Sequence, residues 1–154
     1  MSFHPSPSYH LIINPMYKAL FEEFLASSDT LRVYAGDTPV FTSEKERLLP
    51  LMEYLAGGVS HQPVTIFDKI MGNAAALLSV RADCREVYSP LGSEIAVRTL
   101  EKYGIAHHIT KIVPFIRRAD GQGMCPMEKL SLGKDPREFY QEMLARSRPN
   151  APAK

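Results

Sequence analysis

A chain of 154 residues with formal net charge +1, 45% hydrophobic and 23% charged residues can build one core but carries no charge excess that defines a partner. Lacking a dominant Lys/Arg block, it has no phosphate-neutralising face, so nucleic acid is not an expected partner. No apolar run reaches the roughly 18 to 20 residues of a membrane helix, the opening MSFHPSPSYH has no basic segment leading into an apolar one, and Cys84 and Cys125 are too few for a disulfide framework or a thiolate zinc cage. The expectation is a cytoplasmic protein with no membrane partner and no cofactor.

Residues 1–10 and 147–154 are rich in Pro, Ser and Asn and show no apolar period, so they read as tails around a single domain over 11–146. After Asn14-Pro15, the residues Met16, Leu20, Phe21, Phe24 and Leu25 recur at helical spacing and predict a first helix ending near Ser27-Ser28. Leu31 to Ala35 and Pro39 to Thr42 flank Gly36-Asp37-Thr38 and read as a β-hairpin. Ser43 and Glu46 form a capping-box pattern before Leu48, Leu49, Met52 and Leu55, with Gly57-Gly58 as the stop. Pro50 is poorly tolerated inside a helix, which favours a start only a residue or so before it.

From there strands and helices alternate. Val64 to Phe67 reads as strand, Ile70 to Arg81 as helix, Glu86 to Tyr88 as strand, Glu94 to Tyr103 as helix, and His108 to Ile116, which includes Pro114, as a last strand. Strands separated by helices of that length imply right-handed crossovers and parallel neighbours. Asp135-Pro136-Arg137-Glu138 places a cap, an N1 proline and an N3 glutamate before Phe139, Tyr140, Met143 and Leu144, the signature of a final amphipathic helix. The expected architecture is a three-layer α/β/α fold on a mixed sheet of about five strands.

The order of elements over about Met16 to Ile116 resembles the cytidine deaminase-like fold. More narrowly, IFDKIMGNAAALL, REVYSPLGSEIAVRTLEKYGI and DGQGMCPMEKL resemble a small bacterial family of unknown function that has this fold without its zinc. Zinc deaminases need His-x-Glu on one helix and Pro-Cys-x-x-Cys opening the next. Counting elements places Lys45-Glu46-Arg47 at the first motif, with Ile70 and Asn73 in the cysteine slots of the second. A shifted register aligns Met71-Gly72-Asn73 and Pro90-Leu91-Gly92-Ser93-Glu94 instead. Neither register supplies three His or Cys ligands, so no metal is expected.

Two sets of residues stand out as candidates. Asp68-Lys69 falls where a strand gives way to a helix, with Gly72 and Asn73 in the first turn. Ligands in open α/β sheets gather beyond the strands' carboxyl ends, where helix N-termini present unpaired amides. There Lys69 would meet an anionic ligand and Asp68 would act as base, orienter or nucleophile, against the plainer reading of a helix cap and a solvated lysine. Arg47 could join the same edge, though a surface charge is the commoner role for such a residue.

The second set lies in the loop Asp120 to Glu128. Gly121 and Gly123 allow close approach to a ligand, Met124 would line the pocket, Pro126 fits N1, and Cys125 would stand at a helix N-cap, where the dipole favours thiolate. Glu128 or Asp68 would assist Cys125, although no histidine stands at a spacing that identifies a base, and glycine-rich turns after strands are common without function. His107-His108 points two rings to opposite sides of a strand. Cys84 reads as a small buried hydrophobe and Arg117-Arg118 as a solvated pair. Three functions follow: a zinc-free domain binding a nucleotide-like small molecule, a cysteine-dependent transferase or hydrolase, or a structural partner domain forming a homodimer.

Overall fold

The computed structural model describes residues 14–58 and 62–147. The tails expected at 1–10 and, apart from Ser147, at 147–154 lie outside them. Helix α1 spans Pro15–Ala26, and its N-cap Asn14 side chain accepts the Met16 amide at 2.9 Å, with Pro15 preset for the first turn. Strands β1 (Leu31–Ala35) and β2 (Thr38–Ser43) form the expected hairpin, turned through Gly36 at φ 63°, a conformation that favours glycine. Helix α2 covers Leu49–Ala56.

The late start before Pro50 is observed, but the Ser43/Glu46 capping box is not. Ser43 still belongs to β2, where its hydroxyl accepts the Lys45 amide at 3.1 Å. Arg47 at φ 61° then turns the chain before the helix, and N-cap Leu48 provides no side-chain cap.

Beyond α2 come β3 (Val64–Asp68), α3 (Asn73–Arg81), β4 (Cys84–Ser93), α4 (Glu94–Lys102), β5 (Ala106–Val113), the short α5 (Pro126–Ser131) and α6 (Pro136–Arg146). The five strands form one mixed sheet in the order β2-β1-β3-β4-β5. β1 is antiparallel to both of its neighbours, while β3, β4 and β5 are parallel. Three elements differ most in extent from the sequence reading. α3 begins three residues late because Met71 pairs with Gly92 and prolongs the sheet. β4 is ten residues rather than three, and β5 stops short of Pro114, which cannot donate to a ladder.

Strand alternation divides the core between the two faces. Leu31, Val33, Val64, Ile66 and Val87 join one cluster with α2, α3, α4 and α6 residues, among them Leu51, Leu77, Leu100 and Phe139. Tyr34, Phe67 and Tyr88, from the intervening positions, pack with Tyr17 and Phe24 of α1. Phe67 sits at the centre of this aromatic layer, with ring centroids 5.0 Å from Tyr34, 5.2 Å from Tyr88, 5.6 Å from Phe21 and 5.8 Å from Phe24. Each such pair adds about 0.5–1.5 kcal/mol beyond area burial. The result is a three-layer α/β/α arrangement, with α1 alone among the described helices in the aromatic cluster. No helix among the described residues is long and apolar enough to cross a membrane.

Candidate functional site

Asp68 and Lys69 end β3 but diverge. Asp68 shares the side of Val64 and Ile66, lies opposite Leu31 in the register and is only 8% exposed. Its carboxylate accepts the Ile70 amide at 3.3 Å, and burial raises its pKa from the ordinary 3.8 to about 7 against that stabilising contact. Lys69 turns to the opposite face. Its ammonium donates to the Ser27 carbonyl at 3.0 Å and stands 4.8 Å over the Phe24 ring, so it closes the carboxyl end of α1. These two side chains therefore do not converge on one ligand.

Gly72, Asn73 and Glu128 do come together. Gly72 is the N-cap of α3 and has no side chain to satisfy the helix amides. Glu128 supplies that acceptor from 55 residues away: one carboxylate oxygen takes the Asn73 amide at 2.6 Å and the other takes the Ile116 amide at 2.7 Å. The carboxylate presses against bare backbone, since a Cβ on Gly72 would lie 3.2 Å from Glu128 Oε1 and 3.1 Å from Ile116 Cγ1. Asn73 completes the network by donating to Ser131 Oγ at 3.0 Å and accepting from Thr99 Oγ1. The α3 N-terminus, where the sequence pointed to a ligand, thus holds an anion belonging to the chain itself.

This chemistry does not fit zinc. Both Glu128 oxygens accept backbone amides, Asn73 is engaged as an amide, and Ile70 offers no donor atom. Among the described residues no three His, Cys, Asp or Glu side chains cluster. Cys125 is the N-cap of α5, with Pro126 in the first turn, and its amide donates to the Ile116 carbonyl at 2.8 Å. Because Glu128 is 2% exposed and committed to two amides, it is not poised as a base for the Cys125 thiol. Cys84 is buried, its thiol donates to the Glu86 carbonyl at 3.0 Å, and burial pushes its pKa up to about 12.

Gly121 (φ 76°) and Gly123 (φ 90°) shape a hairpin closed by the Arg117–Met124 bridge and by the Arg118 amide donating to the Gly123 carbonyl at 2.9 Å. A Cβ at either glycine would meet nothing within 4 Å, so both serve the turn through their φ. Arg118 pairs with Asp120 at 3.0 Å in solvent, and Arg47 is an exposed turn residue. His107 and His108 point to opposite sides as expected: His107 toward Glu101 of α4, His108 against Glu86 at 2.9 Å and stacked on Tyr88.

Beside the buried network a cleft of about 350 Å³ opens between α4 and the α5–α6 connection. Asn73, Ile95, Arg98, Thr99 and Lys102 form one wall. The other consists of Leu132, Gly133 and Lys134, with Asp135 and Glu138 at the α6 start. Arg98 and Lys102 stand one helical turn apart, and neither has an ion-pair partner among the described residues.

The acidic members of the cleft are occupied locally. Asp135 Oδ1 accepts the Glu138 amide at 2.7 Å and Glu138 Oε1 accepts the Asp135 amide at 3.0 Å, the capping box anticipated from sequence. Lys134 donates to the Leu130 carbonyl at 2.5 Å and holds Glu142 below the usual carboxylate range at 3.1 Å. Two cations without ion-pair partners among the described residues, together with the apolar Ile95 and Leu132, make an amphiphilic cavity of small-ligand size. Sequence reasoning missed Arg98, Thr99 and Lys102, although Ile95, Arg98, Thr99 and Lys102 recur at i, i+3, i+4, i+7 opposite the buried Ala96 and Leu100.

The sequence model of a family described as a domain of unknown function (DUF1893, TM1506) matches residues 13–145. The fold is similar to the crystal structure of a DUF1893 family protein (TM1506) from Thermotoga maritima, with 25% identity and a TM-score of 0.79 over 94% of this chain and 97% of that one. No curated protein matches the chain.

Proposed function

The chain belongs to the DUF1893 family, and we propose that it is a binding domain for a nucleotide-like small molecule, held in the cleft between α4 and the α5–α6 connection. The observation that carries this reading is the pair Arg98 and Lys102, without ion-pair partners among the described residues, on the wall of a cavity also lined by Ile95 and Leu132. Cations of this kind recognise phosphate, and the apolar flanks suit the faces of a base or sugar. The order of strands and helices supports a relative of the cytidine deaminase-like fold whose α3 N-terminus has exchanged a metal site for the Glu128 clamp. A cytoplasmic, bacterial setting accords with the composition and the resemblance.

A thermal-shift series with nucleosides, mononucleotides, dinucleotides and ADP-ribose tests the proposal. A ligand at one hundred times its Kd stabilises the native state by about 2.7 kcal/mol, which for a chain of this size raises Tm by roughly 5–10 °C. Arg98→Ala should abolish the shift. No shift with any of these compounds would overturn the reading.

A further inference from the structure

A second cavity, of about 400 Å³, adjoins the first, and Asp135 lines both. It lies at the far end of α4, where Val80 and Arg81 at the end of α3 and Asp83 just beyond it line the cavity with Tyr103 and the α6 start at Pro136 and Arg137. The α4 stripe that lines the first cavity continues directly into it. Ile95, Arg98, Thr99 and Lys102 lead to Tyr103 one position on, so one helix edge supplies the wall of both. The eight rises of about 1.5 Å from Ile95 to Tyr103 make this edge about 12 Å long, more than a single nucleoside needs.

The order of chemistry along that edge is informative. Ile95 offers an apolar surface at one end, Arg98 and Lys102 place two cations in the middle, and Tyr103 closes the other end with a ring that is 37% exposed. The Lys102 ammonium stands 5.5 Å from the Tyr103 centroid, so a charge in the middle and a ring at the end belong to one continuous surface. Arg137 reaches the second cavity with no ion pair among the described residues.

From this sequence of apolar, cationic and aromatic elements we infer that the two cavities are one bipartite site for a dinucleotide, two nucleosides joined through a pyrophosphate. One base packs on Ile95 and Leu132, the phosphates meet Arg98 and Lys102, and the second base stacks on Tyr103. The inference rests on the binding function proposed above and names the ligand class of the same site.

Calorimetric titration of the full chain with AMP and with two adenosines joined 5′ to 5′ by a pyrophosphate tests it. The dinucleotide should bind at least about tenfold more tightly than AMP. Tyr103→Ala should erase that advantage, and Tyr103→Phe should retain it. Equal affinities in the wild type, or an advantage that survives Tyr103→Ala, would overturn the inference. If AMP binds in an Arg98-dependent way but the dinucleotide gains nothing, the cleft still binds nucleotide and only the bipartite site falls. If neither compound binds, both fall together. Tyr103 lies outside the buried core, and an unchanged Tm for each variant confirms that the affinities compare folded proteins.

Discussion

Truncating Glu128 to alanine should be among the most damaging single changes in the chain. The substitution deletes an acceptor used by two backbone amides, Asn73 at 2.6 Å and Ile116 at 2.7 Å, in a place that is 2% exposed. Hydrogen bonds to a charged partner contribute about 1.5–3 kcal/mol each, and the buried donors left behind cost a similar amount. Relief of the carboxylate's own desolvation offsets part of this, leaving an expected loss of about 3–5 kcal/mol. Against a total stability of about 5–15 kcal/mol this is a large fraction. Urea titration should show a lower midpoint with unchanged slope. Glu128→Gln keeps one acceptor oxygen but turns an NH2 group toward an amide donor, so it should lose about 2–3 kcal/mol. A loss below about 1 kcal/mol for the alanine variant, or wild-type stability for the glutamine variant, would refute the clamp.

Further outcomes follow from the same geometry. Because Asp68 ionises near pH 7 when folded and near 3.8 when unfolded, the folded chain holds the extra proton between those values, and stability falls as pH rises from about 4 to about 7. Asp68→Asn should therefore be more stable than wild type at pH 8, by an amount on the order of 2–4 kcal/mol, with the gain vanishing near pH 4; equal gains at both pH values would contradict the assignment. Cys125, half-buried, should react with iodoacetamide well before Cys84, whose thiol is buried and pushed up to about 12, and equal rates would remove the distinction. Gly92→Ala would place a Cβ 2.8 Å from Ile109 Cδ1 and 3.1 Å from the Met71 carbonyl, costing about 1–3 kcal/mol in urea titration.

Much of the fold is legible in the sequence because apolar period and caps agree. The α1 helix, the hairpin around Gly36 and the Asp135 capping box all appear where residue chemistry puts them, although α1 buries Tyr17 and Phe24 and leaves Met16 and Leu25 of the expected stripe exposed. β4 was harder to read, since Pro90 and Gly92 look like strand breakers. Its length depends on a distant partner: the Met71 amide donates to the Leu91 carbonyl and the Ser93 amide to the Met71 carbonyl. Gly92 is required there because Ile109 fills the space a side chain would take.

The site was less legible, for two physical reasons. Neighbours in sequence diverge at a strand end, so the alternation that separates His107 from His108 also separates Asp68 from Lys69. Conversely, the Glu128 clamp and the cleft walls join residues tens of positions apart, and only the packing of α4, α5 and α6 around α3 brings them together. In the sequence alone Arg98 and Lys102 look like any solvated helix face.

The most direct test of the binding function is an NMR titration of the 15N-labelled chain with AMP. The account predicts saturable shift changes centred on the amides of Ile95, Arg98, Thr99, Gly133 and Lys134, lost in Arg98→Ala. Changes centred instead on Asp68 and Lys69, or none at millimolar nucleotide, would contradict it.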